Sequence, residues 1–209
     1  VGTVDIEAGA DITSDGDVTI TALNGITTAG NVDTSSSNSN VTFASATTLD
    51  AAIAITTGGA AGGNIAFNST LDSDGVAARD LTLTAGTGNI TFTGAVGNTG
   101  ANSELGAMLV NSAANVTAAS TVEAVSFVQG AGTGTTQFAA AVTTTGAAGV
   151  NVITDAIDVD GTITTTGTGI VTLNANGLGA TVGTVDIEAG ADITSDGDVT
   201  ITALNGITT

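Results

Sequence analysis

The chain has 209 residues, with 20 acidic side chains against a single basic one, a net charge of −19, and no His, Cys, Trp, Tyr or Pro. Nucleic-acid binders displace counterions from phosphates with Lys and Arg, so a lone Arg79 excludes that class, and the same deficit disfavours anionic membrane surfaces. No disulfide framework is possible, no apolar run approaches the roughly 18 residues that insertion across a membrane requires, and a positive mean hydropathy of +0.42 sets the chain apart from disordered polar sequences.

Taken in chain order, the elements are short runs in which aliphatic residues alternate with Thr. Val18-Thr19-Ile20-Thr21 is the first, followed by runs at residues 41–43, 65–67, 81–84, 90–93 and 116–118. Period-two alternation places one set of side chains on one side of a strand, and Val, Ile and Thr favour strand over helix. Between the runs stand Ser14-Asp15-Gly16, Leu23-Asn24-Gly25, Thr57-Gly58-Gly59 and Gly86-Thr87-Gly88, where Asn and Gly accept the left-handed backbone of a sharp corner. Residues 104–110 come nearest to a helical period, and they are too few to make a helix.

Two repeats are superimposed on this pattern. Residues 1–28, VGTVDIEAGADITSDGDVTITALNGITT, recur without a mismatch as residues 182–209, an offset of 181. Internal duplications drift apart with time, so perfect identity implies a recently duplicated or homogenised tandem array. The chain divides into one unit, residues 1–181, and the start of the next, residues 182–209. Within the unit, an Asp or Asn precedes an alternating run at Asp17, Asn40, Asn64, Asn89 and Asn115, each step one longer than the step before it. Self-similarity at a period of this size marks a stacked architecture.

Short strands, sharp corners and this period predict an all-β fold, a parallel β-helix (β-solenoid) with seven to nine coils per 181-residue unit. Val18, Ile20, Val41, Phe43, Ile65, Phe67, Ile90 and Phe92 are expected inside, Thr19, Thr42 and Thr91 outside. Asn40, Asn64, Asn89 and Asn115 are expected to form an amide ladder at one corner, and Met108 to fill core. After Val116 the rhythm blurs. The second copy is expected to follow the first by translation along the axis with a small twist. A β-sandwich also uses short strands, yet gives no reason for equivalent corners at near-constant spacing.

Runs such as LTLTAGTGNITFTGAVG (residues 81–97) and IVTLNANGLG (residues 170–179) resemble the repeats of filamentous-haemagglutinin-type bacterial surface proteins and of the giant β-strand-repeat proteins. That resemblance implies a right-handed parallel β-helix, export as an extended chain, and a role in adhesion, aggregation or biofilm.

Carboxylate pairs are the remaining chemistry. The sequences SDGD, LDSDG and DVDG offer carboxylates and loop carbonyls close together in the chain, as Ca²⁺ requires, with Asp72, Asp74 and Asp80 or Asp155, Asp158 and Asp160 as the candidate ligands. They match neither the EF-hand loop nor the β-roll nonapeptide, and Asp is common at turns for conformational reasons alone. Hydrolysis or lysis of a polysaccharide needs a partner acid, base or aromatic platform that His, Lys, Cys and Tyr do not supply here. Arg79 is expected to pair with its neighbour Asp80 as a surface ion pair of little energetic weight. No cofactor is required on this reading, and Ca²⁺ is the candidate ion. The expected function is a structural repeat, the shaft of an extracellular filament or the stalk of a cell-surface adhesin, and not an enzyme. Its main partner is self, with a cell-surface or matrix polysaccharide as a further candidate. The alternatives are a calcium-dependent surface layer and, more distantly, a carbohydrate-active β-helix.

Overall fold

A very short strand buries its alternate side chains and satisfies its backbone only if another strand lies on each side of it. The computed structural model, which describes residues 2–98, 100, 102–175 and 183–209, meets that need by winding the chain into nine stacked turns. All strand pairings are parallel, and no helix occurs among the described residues. The solenoid expected from the corners and spacings is the fold of this protein. Residues 176–179, part of the second resembling run, and Val1, Thr181 and Val182 at the unit boundaries lie outside the described residues.

Each turn lays strands on three faces in a fixed order. In the first turn Val4–Ile6 lies on face one, Ile12–Thr13 on face two and Val18–Ile20 on face three. Ile26–Thr28, Val32–Asp33 and Val41–Phe43 repeat that order directly above, in the registers Val4 to Ile26, Ile12 to Val32 and Val18 to Val41. The fifth turn reduces face one to a bridge at Val96, between Leu71 and Val122. In the sixth, Val122–Gln129 rounds a corner and serves face one at Val122 and face two at Phe127. The eighth turn is Ile163–Thr165, Val171–Ala175 and Thr184–Ile187, and the ninth is Ile193–Ser195, Val199–Ala203 and Gly206–Thr208.

The core runs up the middle of the prism. Val41, Phe43, Ile65, Phe67, Ile90, Phe92 and Met108 are buried, and Ile20 nearly so; Val18, in the end turn, is half covered, while Thr19, Thr42 and Thr91 face outward. In-register pairing stacks Phe43 on Phe67 at 5.0 Å and Phe67 on Phe92 at 5.5 Å between ring centres, with planes nearly parallel. Such contacts add about 0.5–1.5 kcal/mol each beyond burial. Ala118 takes the next place in the column and ends it; in the following turn Phe138 meets Phe127 edge-on at 5.2 Å.

The amide ladder forms, and it is longer than the asparagines alone. The Asp17 carboxylate accepts the Asn40 backbone N–H at 2.8 Å, and the side-chain carbonyls of Asn40, Asn64, Asn89 and Asn115 each accept the backbone N–H of the turn above, ending at Thr135. Each rung converts an outward corner N–H, which the sheet does not use, into an inter-turn bond. The rhythm blurs after Asn115 because the next turn is shorter, with Val116 paired to Thr136, and because Thr135 carries no side-chain amide.

Buried threonines form a second set of corner ties that the alternating pattern does not reveal. The hydroxyls of Thr34, Thr57 and Thr165 donate to the carbonyls of Ser39, Gly63 and Gly169 at 2.6–2.7 Å, closing from inside two loops between faces two and three and, at Thr165, one between faces one and two.

The two sequence copies do not follow one another by simple translation. Val4–Ile6 lies on face one, whereas the equivalent strand Thr184–Ile187 lies on face three; Val18–Ile20 lies on face three and its equivalent Val199–Ala203 on face two. The unit therefore spans seven turns and two further faces, which places the second copy a third of a turn short of eight whole turns. Seven and two-thirds turns fall within the expected coil number, but the third of a turn rotates the copy onto different faces.

Candidate functional site

Three of the six candidate aspartates lie around one loop. Asp72, on the strand Leu71–Ser73, is only 8% exposed and stands beside Thr48 of the turn below. Asp74 forms an ion pair with Arg79 at 2.5 Å and accepts the N–H groups of Val76 and Ala77, so its carboxylate pins the loop that leads to the strand Leu81–Thr84. The hydrogen bond from Arg79 is the main reason that the Asp74 carboxyl titrates well below the usual carboxylate range. The arginine thus pairs with Asp74 and not with its neighbour Asp80: the loop folds back and brings Asp74 to the guanidinium, while Asp80, at the corner before face two, bonds to the next turn. Its carboxylate accepts the N–H of Ala107 in the turn above at 2.7 Å.

Asp155, 5% exposed, sits at the corner between Val150–Ile153 and Ala156–Val159, apart from its two sequence companions. Asp158 and Asp160 do come together. Among the described residues, their carboxylates and that of Glu188 form the one group of three that lies within 4.8 Å. Face three brings them into position: the strand Ala156–Val159 pairs with Thr184–Ile187, which sets Asp158 beside Asp186 and leaves Glu188 just past the strand end. Gln137, one turn below, donates its amide N–H groups to Asp158 at 3.1 Å and Asp160 at 3.0 Å. Burial raises the Asp158 carboxyl above its usual range, reinforced by the charges of Asp160, Asp186 and Glu188.

Glu188 is the member that sequence spacing misses. It stands a full turn of the solenoid beyond Asp160 and belongs to the second copy, where it is the equivalent of Glu7. Only the length of the eighth turn, which the repeat rhythm does not supply, brings it over the pair. The cluster therefore forms where one repeat meets the next, with Asp158 and Asp160 from one unit and Asp186 and Glu188 from its successor. Binding through one oxygen each, three carboxylates supply half or fewer of the six to eight oxygens that Ca²⁺ takes.

An open depression of about 310 Å³ lies on face two, bordered by Asp11, Thr13, Asn31, Asp33, Ala54 and Thr56, where the strands Ile12–Thr13 and Val32–Asp33 are only two residues long. All five phenylalanines, the chain's only aromatic residues, are buried, so none lies at the surface to stack on a sugar ring. No family model matches this chain, and no curated protein or solved structure matches it.

Proposed function

We propose that this chain is a structural repeat from the shaft of an extracellular filament or the stalk of a large bacterial surface adhesin, resembling the filamentous-haemagglutinin-type repeats. The observation that carries the reading is the second copy of residues 1–28, which stacks on the first unit as its next coil. Thr184–Ile187, Ile193–Ser195 and Val199–Ala203 pair in parallel with Ala156–Val159, Ile163–Thr165 and Val171–Ala175. A repeat that ends by building the floor for its own successor supports extension. In a stack of this kind each turn is stabilised by its neighbours, so rigidity accumulates with length, and an exposed parallel edge is satisfied by the next coil.

One unit carries 12 Asp, 3 Glu and one Arg. Charge of one sign along a rod opposes lateral association at low salt and is screened when the Debye length falls to about 8 Å at 0.15 M. The test is to image chains of two and four units. Rod length should grow by about 37 Å per unit, at roughly 4.8 Å per turn, and antibodies to the unit should label intact cells of the source organism. Globular particles, or labelling confined to the cytoplasm, would overturn the reading. The carboxylates at the repeat junction favour a second reading, a layer that tightens with Ca²⁺. Melting in about 0.15 M NaCl with Ca²⁺ against EDTA separates the two: a Ca²⁺-specific rise that disappears in Asp158→Asn supports the layer, and equal melts retire it.

A further inference from the structure

The two ends of the described solenoid give the inference. In the last turn, strands that are covered in the first copy lie open: Val199 is 48% exposed and Ile207 49%, whereas Ile26, the equivalent of Ile207, is 1% exposed. The chain itself displays what covers these strands. Val18 is covered by Val41, and Ile26 by Thr47, so residues equivalent to 29–49 are the segment that fits over Ile193–Ser195, Val199–Ala203 and Gly206–Thr208. The fit is specific because the copy reproduces the internal register of the original: Val185 pairs with Ile207 as Val4 pairs with Ile26.

The corner bonds are reproduced as well. The N–H of Ala10 bonds to Glu7 O at 2.9 Å and that of Ala191 to Glu188 O at 2.9 Å; Asn24 bonds to Gly2 O and Asn205 to Gly183 O, both at 2.8 Å. Gly9 and Gly190 share a positive φ, 79° and 95°. A sequence that keeps its corners, strands and register while changing faces has been rotated as a unit. That rotation is fixed by the number of faces in one repeat, which is not a multiple of three.

From this we infer that successive units of the array turn by two-thirds of a revolution, each covered by residues equivalent to 29–49 of the next, so that any surface of the unit appears in rotation on all three faces of the shaft. Before the twist of the solenoid itself is added, the pattern closes after three units, or 23 turns, about 110 Å at roughly 4.8 Å per turn. The junction carboxylates Asp158, Asp160, Asp186 and Glu188 lie on face three here; at the next junction they lie on face two, then on face one. A lateral partner, such as a second copy of this shaft, meets an identical face only at every third unit. Contacts between shafts are thereby offered in three directions, and a bundle is favoured over a flat sheet.

The inference rests on the tandem-array reading, but its test needs only this 209-residue chain, which holds no native Cys to interfere. Neighbours in register on parallel strands are close enough for a disulfide to form. In the rotated arrangement Asp186 stands beside Asp158; had the repeat taken a whole number of turns, Asp186 would stand beside Thr164 on face one. Copper-catalysed oxidation of the Asp158→Cys/Asp186→Cys chain should give an intramolecular disulfide by mass spectrometry, and the Thr172→Cys/Thr200→Cys chain should give another, since those residues are paired on face two. The Thr164→Cys/Asp186→Cys chain should stay reduced. Cross-linking of 164 to 186, or of none of the three pairs, overturns the rotation. A rotation upheld in a chain that never reaches a cell surface would leave this inference standing and sink only the proposed location.

Discussion

One sequence, present as residues 1–28 and again as residues 182–209, occurs at both ends of this chain, and its side chains are covered differently in the two places. Val185 is fully buried in the eighth turn, while its equivalent Val4 is half covered in the first; Ile26 is buried beneath the third turn, while Ile207 is half exposed in the last. The corners at Gly9 and Gly25, the order of the strands and the internal register recur in the second copy, with strand ends shifted by one or two residues. Identical sequence thus fixes how a coil bends and what it can stack on. Burial, which holds most of the stabilising free energy, is conferred by the coils above and below. In a solenoid the unit of stability is the contact between turns.

The largest test of this contrast is a matched pair of truncations. Ile26→Ala removes a side chain enclosed by the turns around it and should destabilise by about 2–5 kcal/mol. Ile207→Ala, the same change in the same local sequence, should cost less than about 1 kcal/mol. Urea denaturation of both variants gives the comparison, and equal losses would mean that the copies are equally covered, which the stacking order forbids. Next comes the head of the corner ladder. The Asp17 carboxylate receives the N–H of Asn40, and Asp198, the equivalent residue, lies in the last turn of this chain. Asp17→Ala should cost about 1 kcal/mol and Asp198→Ala no more than about 0.5 kcal/mol. Asp17→Asn, which keeps the acceptor, should restore most of the difference.

The smallest effect is a pH dependence, and its sign is distinctive. Asp158 titrates above its usual range in the fold, mainly through burial and also through neighbouring negative charge. The native state then binds its proton more tightly than the unfolded chain, so stability should rise as pH falls from neutrality through that raised value. Asp158→Asn should be more stable than the parent at neutral pH and should lose that rise on mild acidification. Asp74 acts in the opposite sense. Arg79 holds its titration below the usual range, so the stability it contributes persists through mild acid and disappears only in stronger acid. Melting temperatures of parent and variant against pH would show a shallow maximum for the parent alone; parallel curves would contradict the raised Asp158.

Much of the fold was legible because a solenoid is a local code repeated. Alternation at residues 41–43, 65–67 and 90–92 marked inward side chains, and Asn40, Asn64, Asn89 and Asn115 marked one corner in successive turns. The candidate site was less legible. Asp158 and Asp160 are close in sequence and meet in space, but Asp74 is engaged by a loop and Asp80 by an inter-turn bond, whose geometry depends on where the chain returns. Arg79 illustrates the point: the nearest carboxylate in sequence is Asp80, yet the loop turns the guanidinium to Asp74.

The alternating strands, the left-handed corners at Gly25 and Gly86, the stacked phenylalanines and the existence of a second copy ready to continue the coil were all written in the sequence. Each depends on contacts within one turn or between equivalent positions of neighbouring turns, and a repeat period reports both. The winding of the folded chain sets the face on which each strand falls, the meeting of Glu188 with Asp158 and Asp160, and the third of a turn by which the second copy misses the first. Turn lengths in this chain are unequal: the turn that carries Val116 to Thr136 is short, and the one that carries Ile163 to Ile193 is half as long again. Phase accumulates over all of them, so a small gain or loss in any loop moves everything beyond it around the axis, while every local contact stays the same.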